Sequence, residues 1–385
     1  MPAPRLYLDY NATAPLRPEV RAAMLDVFDR VGNASSVHAE GRQARKVVEA
    51  ARADVAALVG ARAAGVTFTS GATEANVTAL SPVVRRLGRE VEVARLLVSG
   101  IEHPSVLRGG RFPAERVGTI AVDGDGIVDL DDLSRQLGDV AAAGGTALVA
   151  IHLANNETGV IEPVAAAARI THEFGGILHC DAVQAAGRIA IDAVALDVDF
   201  LALSAHKLGG PQGMGALITL GGIEPVPLVV GGGQEGWRRA GTEPVAGIAG
   251  FAAAVRAGAA ELGEMAAVAC HRDRLQAALQ AVTPHAVIFA ETAPRLPNTL
   301  GLAVPGVAAE TAVIAFDLAG IALSSGSACS SGKVAASHVL KAMGVDADIV
   351  RGGLRISIGA ATTNADIDRL IAAWAGVMGA LDRRN

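Results

Sequence analysis

Short aliphatic runs alternate along this chain with stretches of helical periodicity. Residues 66–69 (VTFT), 95–99 (RLLVS), 147–153 (ALVAIHL), 177–180 (ILHC) and 200–203 (FLAL) read as strands. Between them the apolar positions recur at three- and four-residue spacing, as the buried faces of helices do. Pro18 suits the first turn of a helix over residues 18–31, and a second helix over 40–59 stops at Gly60. Strands that are apolar throughout, joined by helices, predict an α/β fold. Its sheet should be mostly parallel and covered on both faces.

Beyond Pro244 an alanine-rich helix runs to about residue 262 and on toward Cys270. Strands are expected at 298–304, 323–327 and 353–358, and a last helix begins near Thr363. Asp366 is placed there to close a capping box. Ile367, Leu370, Ile371, Trp374, Val377, Met378 and Leu381 give that helix one apolar face, which is expected to be core. The helix beyond Pro244 is expected to link to a second domain, with a large domain over 15–255 and a smaller α+β domain built from 1–14 and 256–385.

Composition narrows the partners. Of the 385 residues 51% are hydrophobic but only 3% aromatic, so the core must be built from Ala, Val, Leu and Ile. The net charge is −6 and no Lys/Arg block stands out, which argues against nucleic acid. No uninterrupted apolar run reaches the roughly 18 residues of a membrane span. The start, MPAPRLYLDY, lacks an apolar signal core, so a cytoplasmic protein is expected. Cys180, Cys270 and Cys329 form neither a disulfide framework nor a metal-binding CxxC pair. Cys180 in a strand and Cys270 in a helix read as packing residues.

The polar clusters fall just after the strands, where ligands sit in such sheets. Ser70-Gly71-Ala72-Thr73 opens a helix and is either a phosphate seat or an ordinary N-cap. His103 precedes a proline; it could stack on a planar ring, act as an acid/base, or simply be a satisfied polar residue. Asp181 closes an apolar strand and needs a partner, either a protonated pyridine nitrogen or the following helix. Asn156 and Gln184 are neutral hydrogen-bonding groups suited to a phenolic oxygen or a substrate carboxylate. Arg355 lies on an apolar strand and needs an anion, for which a substrate carboxylate fits. Lys207, in SAHKLGG, follows the strand 200–203; alone it reads as a surface lysine, but desolvated it could form a Schiff base with an aldehyde.

Phosphate seat, pyridine acid and Schiff-base lysine together point to pyridoxal 5′-phosphate. No single one does. A second centre is SSGSACSSGK, where Cys329 sits among serines and glycines and reads as an accessible thiol or an incidental loop cysteine.

Ten segments in order carry a family resemblance: YLDYNATAP, GNASSVHAEGRQAR, FTSGATEAN, IEHPSV, ANNETGVIEP, HCDAVQAAG, SAHKLGGPQGMGAL, GGGQEGWRRAGTEP, SSGSACSSG and LRISIG. The chain resembles cysteine desulfurases of the NifS/IscS type, with the SSGSAC form and long following loop of one subgroup. These are fold-type I pyridoxal-phosphate enzymes, with a large domain around a mostly parallel seven-stranded sheet. The resemblance implies that Lys207 holds the cofactor as a Schiff base and that Ala72, Thr73, Ser204 and His206 contact its phosphate. Thr242 would reach the phosphate of a second subunit, implying a homodimer. His103 would stack on the ring, Asp181 pair with the pyridine nitrogen and Gln184 with the phenolic oxygen. Asn156 and Arg355 would grip the substrate carboxylate.

The implied reaction converts L-cysteine to L-alanine and leaves a persulfide on Cys329. A sulfur-acceptor protein, such as an iron–sulfur scaffold, would then take the sulfur. Selenocysteine lyase or aminotransferase chemistry on the same fold is the alternative, with a non-catalytic scaffold further off. The segments Ala360-Ala361, Trp237 and Gly332-Lys333-Val334-Ala335-Ala336 depart from the family's usual pattern at the site rim and loop, which bears on the acceptor more than on the chemistry.

Overall fold

A computed structural model describes residues 5–326 and 336–382. Its central sheet has seven strands in the order Val66–Thr69, Gly215–Thr219, Phe200–Ser204, Ile177–Asp181, Ala147–His152, Arg95–Ser99 and Val117–Ile120. The last five of these run parallel, and Gly215–Thr219 is antiparallel to both its neighbours. All residues of Ala147–His152, Ile177–Asp181 and Phe200–Ser204 are buried, as expected of strands covered on both faces. The sheet expected from the sequence is therefore present.

Helices Pro18–Phe28, Ala39–Leu58 and Val245–Glu261 pack together on one face. Ala39–Leu58 buries Val48, Ala51, Val55 and Ala56, a stripe at three- and four-residue spacing. It ends as the sequence predicts, at Gly60 with φ +65°.

A second core gathers Leu6 and Leu8 with Leu300, Leu302, Phe316, Ile356 and Trp374. It surrounds a four-stranded sheet containing Thr299–Ala303 and Leu354–Ser357. The last helix, Asn364–Asp382, opens on the expected capping box: Asp366 Oδ2 accepts from the Thr363 N–H at 2.9 Å, and Thr363 Oγ1 accepts from the Asp366 N–H at 3.2 Å. Its residues Ile367, Leu370, Trp374 and Met378 are buried.

Three details differ from expectation. Strands Val83–Arg86, Arg89–Glu92 and Ile223–Pro225 form a small antiparallel sheet that the sequence pattern did not suggest. The helix beyond residue 262 does not fade near Cys270; Met265–Val282 continues after a one-turn 3-10 segment at Leu262–Glu264. Cys270 on that helix is exposed, so it is not a packing residue, whereas Cys180 is buried as expected. Among the described residues, only the run Val245–Val282 is long and apolar enough to cross a membrane, and half of its most apolar window is buried in the protein.

Candidate active site

The strand Phe200–Ser204 delivers the chain into a single 3-10 turn, Ala205–Leu208, that ends at Gly209 with φ +77°. The N-terminal segment wraps this turn: the Ala14 N–H donates to the His206 carbonyl at 2.9 Å, and Arg17 Nε donates to the Leu208 carbonyl at 2.7 Å. Lys207 therefore projects from a fixed turn into a cavity of about 580 Å³. Its Nζ donates to the carbonyls of Asn11 and, at 2.8 Å, Ala12.

That cavity lies beyond the carboxyl ends of the sheet strands. It brings together Ala72, Thr73, His103, Asn156, Asp181, Gln184, Ser204, His206, Lys207 and Arg355 from across the sequence. Thr242 is exposed and does not line it. Cys329 lies outside the described residues.

At one end, helix Ala72–Ala79 begins with Gly71 at its N-cap, and no side chain caps it. The first intrahelical bond runs from the Ala75 N–H to the Gly71 carbonyl, so the preceding amides have no helical partner. Gly71 has φ +153° and open space where a Cβ would project. A Cβ on Gly215 would lie 2.5 Å from the Gly71 carbonyl carbon and 2.8 Å from Ala72 N, so a bare glycine lets the two segments close up. Glu74 braces this end: its Oε2 accepts from the Ser70 N–H at 2.8 Å, and its Oε1 accepts from Arg239 Nε at 2.9 Å. Free amides at an uncapped helix start form an anion seat.

At the other end, Asp181 Oδ2 accepts from Asn76 Nδ2 at 2.8 Å and Oδ1 from the Val183 N–H at 3.0 Å. Asn76 Oδ1 in turn faces His179 Nε2 at 2.8 Å. Burial pushes the His179 pKa down to about 4, so its ring is neutral and donates to that oxygen. The Asn76 amide is thus held with its nitrogen toward Asp181.

His103 Nδ1 accepts from the Ser105 N–H at 3.2 Å, which leaves the hydrogen of the neutral ring on Nε2. Burial lowers its pKa, Asp181 works against that, and Lys207 adds to it. His206 is lowered further, to about 4, by burial and by neighbouring Lys207. Arg355 Nη1 donates to the Asn156 carbonyl at 3.0 Å and Nη2 to Asp9 Oδ1 at 2.7 Å. Its Nε is buried without a hydrogen-bond partner among the described residues. Arg355 thus has an internal anion, which the sequence reading did not foresee.

Several groups at this site were missed by sequence reasoning. Asn11 is a hub: its carbonyl serves Lys207 and Gln184, while its Nδ2 donates to the Asn156 carbonyl at 3.1 Å and to Thr299 Oγ1 at 2.9 Å. Its only signal was membership of the YLDYNATAP segment. His152 lines the cavity and sits 3.0 Å from Glu102 Oε1, with Glu162 behind it at 3.9 Å. Burial alone would lower the His152 pKa, but Glu102 overrides this and pushes it up to about 9. Glu157, next to Asn156, accepts from Ser337 Oγ at 2.6 Å, and burial pushes its carboxyl up to about 7.

An anion seat, a fixed lysine amine and a braced carboxylate around one cavity fit pyridoxal 5′-phosphate. The class-V aminotransferase family matches residues 6–370. A cysteine desulfurase of Cereibacter sphaeroides is 40% identical over 376 residues, covering 95% of this chain and 94% of that protein. One from Gluconacetobacter diazotrophicus is 39% identical over 384 residues, covering 98% and 94%. A NifS-like protein of Rickettsia africae superimposes with a TM-score of 0.87 at 33% identity, covering 97% of this chain and 99% of that structure. The chain belongs to the class-V aminotransferase family and has the fold-type I architecture of its pyridoxal-phosphate enzymes. Within it, the chain is closely related to cysteine desulfurases of the NifS/IscS type.

Proposed function

We propose that this chain is a cysteine desulfurase that takes sulfur from L-cysteine, releases L-alanine and leaves a persulfide on Cys329. The observation that carries this reading is the convergence of Lys207, Asp181 and the uncapped helix start around one cavity. That convergence occurs in a chain 40% identical to a curated cysteine desulfurase over nearly its whole length.

In this reading the amides of Ala72 and Thr73, with Ser204 and His206, would hold the cofactor's phosphate. Asp181 would pair with the pyridine nitrogen, Gln184 with the phenolic oxygen, and His103 would stack on the ring. Lys207 holds the cofactor covalently through Nζ. When bound, pyridoxal 5′-phosphate supplies an electron sink for charge developing at the substrate α-carbon.

The protein's own groups do the rest. Arg355 and Asn156, both lining the cavity, orient the substrate carboxylate. Lys207 Nζ removes and returns the α-proton, its reach set by the Asn11 and Ala12 carbonyls. His103, with the hydrogen of its neutral ring on Nε2, offers the cavity a hydrogen-bond donor at that atom. The Cys329 thiolate attacks the substrate sulfur; the S–S bond forms as the substrate C–S bond breaks, and the electron pair leaves with the carbon fragment. Protonation of that fragment gives alanine, so cysteine plus thiol becomes alanine plus persulfide.

The working unit is a homodimer in which Thr242 reaches the partner's phosphate. The persulfide passes to a sulfur-acceptor protein such as an iron–sulfur scaffold, in a reducing cytoplasmic setting. The large domain is residues 15–255, and the small domain, residues 1–14 and 256–385, carries the cysteine loop. Replacing Cys329 by Ala tests the scheme: sulfur release from L-cysteine should vanish while the visible absorbance of the cofactor-loaded protein persists. Sulfide production surviving that change contradicts the persulfide route and favours a lyase.

A further inference from the structure

Arg188 is a buried cation that the chemistry above does not use. Its Nη1 donates to the Gln184 carbonyl at 2.9 Å and also to Gln184 Oε1, and its Nη2 donates to the Tyr10 carbonyl at 3.3 Å. Among the described residues no carboxylate pairs with it. Burial and the nearby charge of Arg355 bring its pKa down to about 9, so it still carries its proton at neutral pH.

These contacts decide how the Gln184 amide is oriented. A guanidinium only donates, so the Gln184 atom facing it must be the oxygen. A carbonyl only accepts, so the atom 3.0 Å from the Asn11 carbonyl must be the amide nitrogen. Both neighbours demand the same orientation. Flipping the amide would set NH2 against a cation and oxygen against oxygen in a buried site, with both hydrogen bonds lost. The oxygen that orders Gln184 also accepts from Lys207 Nζ, and Asn11, Gln184 and Lys207 all line the cavity.

We propose that Arg188 is a positioning residue that locks the Gln184 amide, so that this side chain meets a cavity ligand beside Lys207 as a hydrogen-bond donor. The inference rests on the cofactor reading above. A locked donor favours the anionic form of the cofactor's phenolic oxygen and makes the proton shared with the Lys207 linkage easier to lose. Charge at Arg188 acts in the same direction, through the polarised amide.

The test is the pH titration of the visible absorbance of the cofactor-loaded protein, without substrate. Arg188→Met should raise the midpoint by about one unit, a tenfold change in the proton-binding constant. Arg188→Lys keeps a cation and a donor but loses the planar fork, and should shift the midpoint in the same direction by less than half as much. Both shifts should disappear in a Gln184→Ala background, a result that general loosening of the fold would not produce. A folded Arg188→Met protein that titrates like the wild type overturns the proposal. If Arg188→Met does not fold, Arg188→Lys carries the test: a shift seen only with Gln184 present supports the lock, and no shift, or the same shift without Gln184, overturns it. Wild-type protein that gains no visible absorbance with added pyridoxal 5′-phosphate refutes the cofactor reading itself, and this inference with it.

Discussion

Asp9 Oδ1 lies 2.7 Å from Nη2 of Arg355, joining the N-terminal segment to the strand Leu354–Ser357. The guanidinium proposed to receive a substrate carboxylate therefore already holds one. Arg355 is almost wholly buried, and removing its partner leaves an uncompensated charge. Asp9→Ala should cost about 3 kcal/mol of stability in denaturant melts. The KM for L-cysteine should rise several-fold, because the guanidinium loses its orientation, while cofactor absorbance should not change. Unaltered stability and KM together would show that the pair is incidental.

Glu157 gives a signed pH effect. Burial raises its carboxyl from 4.5 to about 7 in the folded protein, against the weaker pull of the Ser337 hydroxyl. The folded state therefore keeps a proton that the unfolded chain gives up, and stability falls as pH rises from about 4.5 through about 7. Glu157→Gln keeps an acceptor for Ser337 Oγ but has no proton to lose. Relative to wild type, this variant should gain stability at pH 8 over pH 5, by an amount on the order of a few kcal/mol. Thermal melts at the two pH values measure it, and an unchanged difference contradicts the assignment.

Thr242 tests the shared site. It is exposed in the single chain and absent from the cavity lining, so a role at the phosphate requires a second subunit. A hydrogen bond to a charged group is worth about 1.5–3 kcal/mol, so Thr242→Ala should weaken cofactor retention roughly tenfold or more. Sedimentation should give a dimer for wild type and variant alike. A monomeric wild type that retains its cofactor refutes this role.

The part of the site legible in the sequence was the part fixed by local pattern. Asp181 closes the apolar strand Ile177–Asp181, and Lys207 follows the strand Phe200–Ser204, so the α/β alternation itself placed both at the cavity. The capping box of Thr363 and Asp366 was legible for the same reason, since its partners lie three residues apart. What stayed hidden depends on distant chain segments. Asn11 meets Gln184 and Lys207 across more than 170 residues of sequence, and Asp9 meets Arg355 across 346. No periodicity encodes such pairings. Cys270 was misjudged because its helix has a weakly amphipathic sequence, in which few positions declare which face is buried. The strands Val83–Arg86 and Arg89–Glu92 carry several charged residues and bury only Val84, so they lack the apolar signature that revealed the central sheet.

The central claim is that sulfur leaves L-cysteine onto Cys329. Mass spectrometry of the peptide bearing Cys329, after the cofactor-loaded protein meets L-cysteine without reductant, tests this most directly. The account predicts a mass increase of one sulfur atom on that cysteine, with one alanine formed per persulfide and no such adduct in a Lys207→Ala variant. An unmodified Cys329 alongside continued alanine production, or a persulfide confined to Cys270 or Cys180, contradicts it.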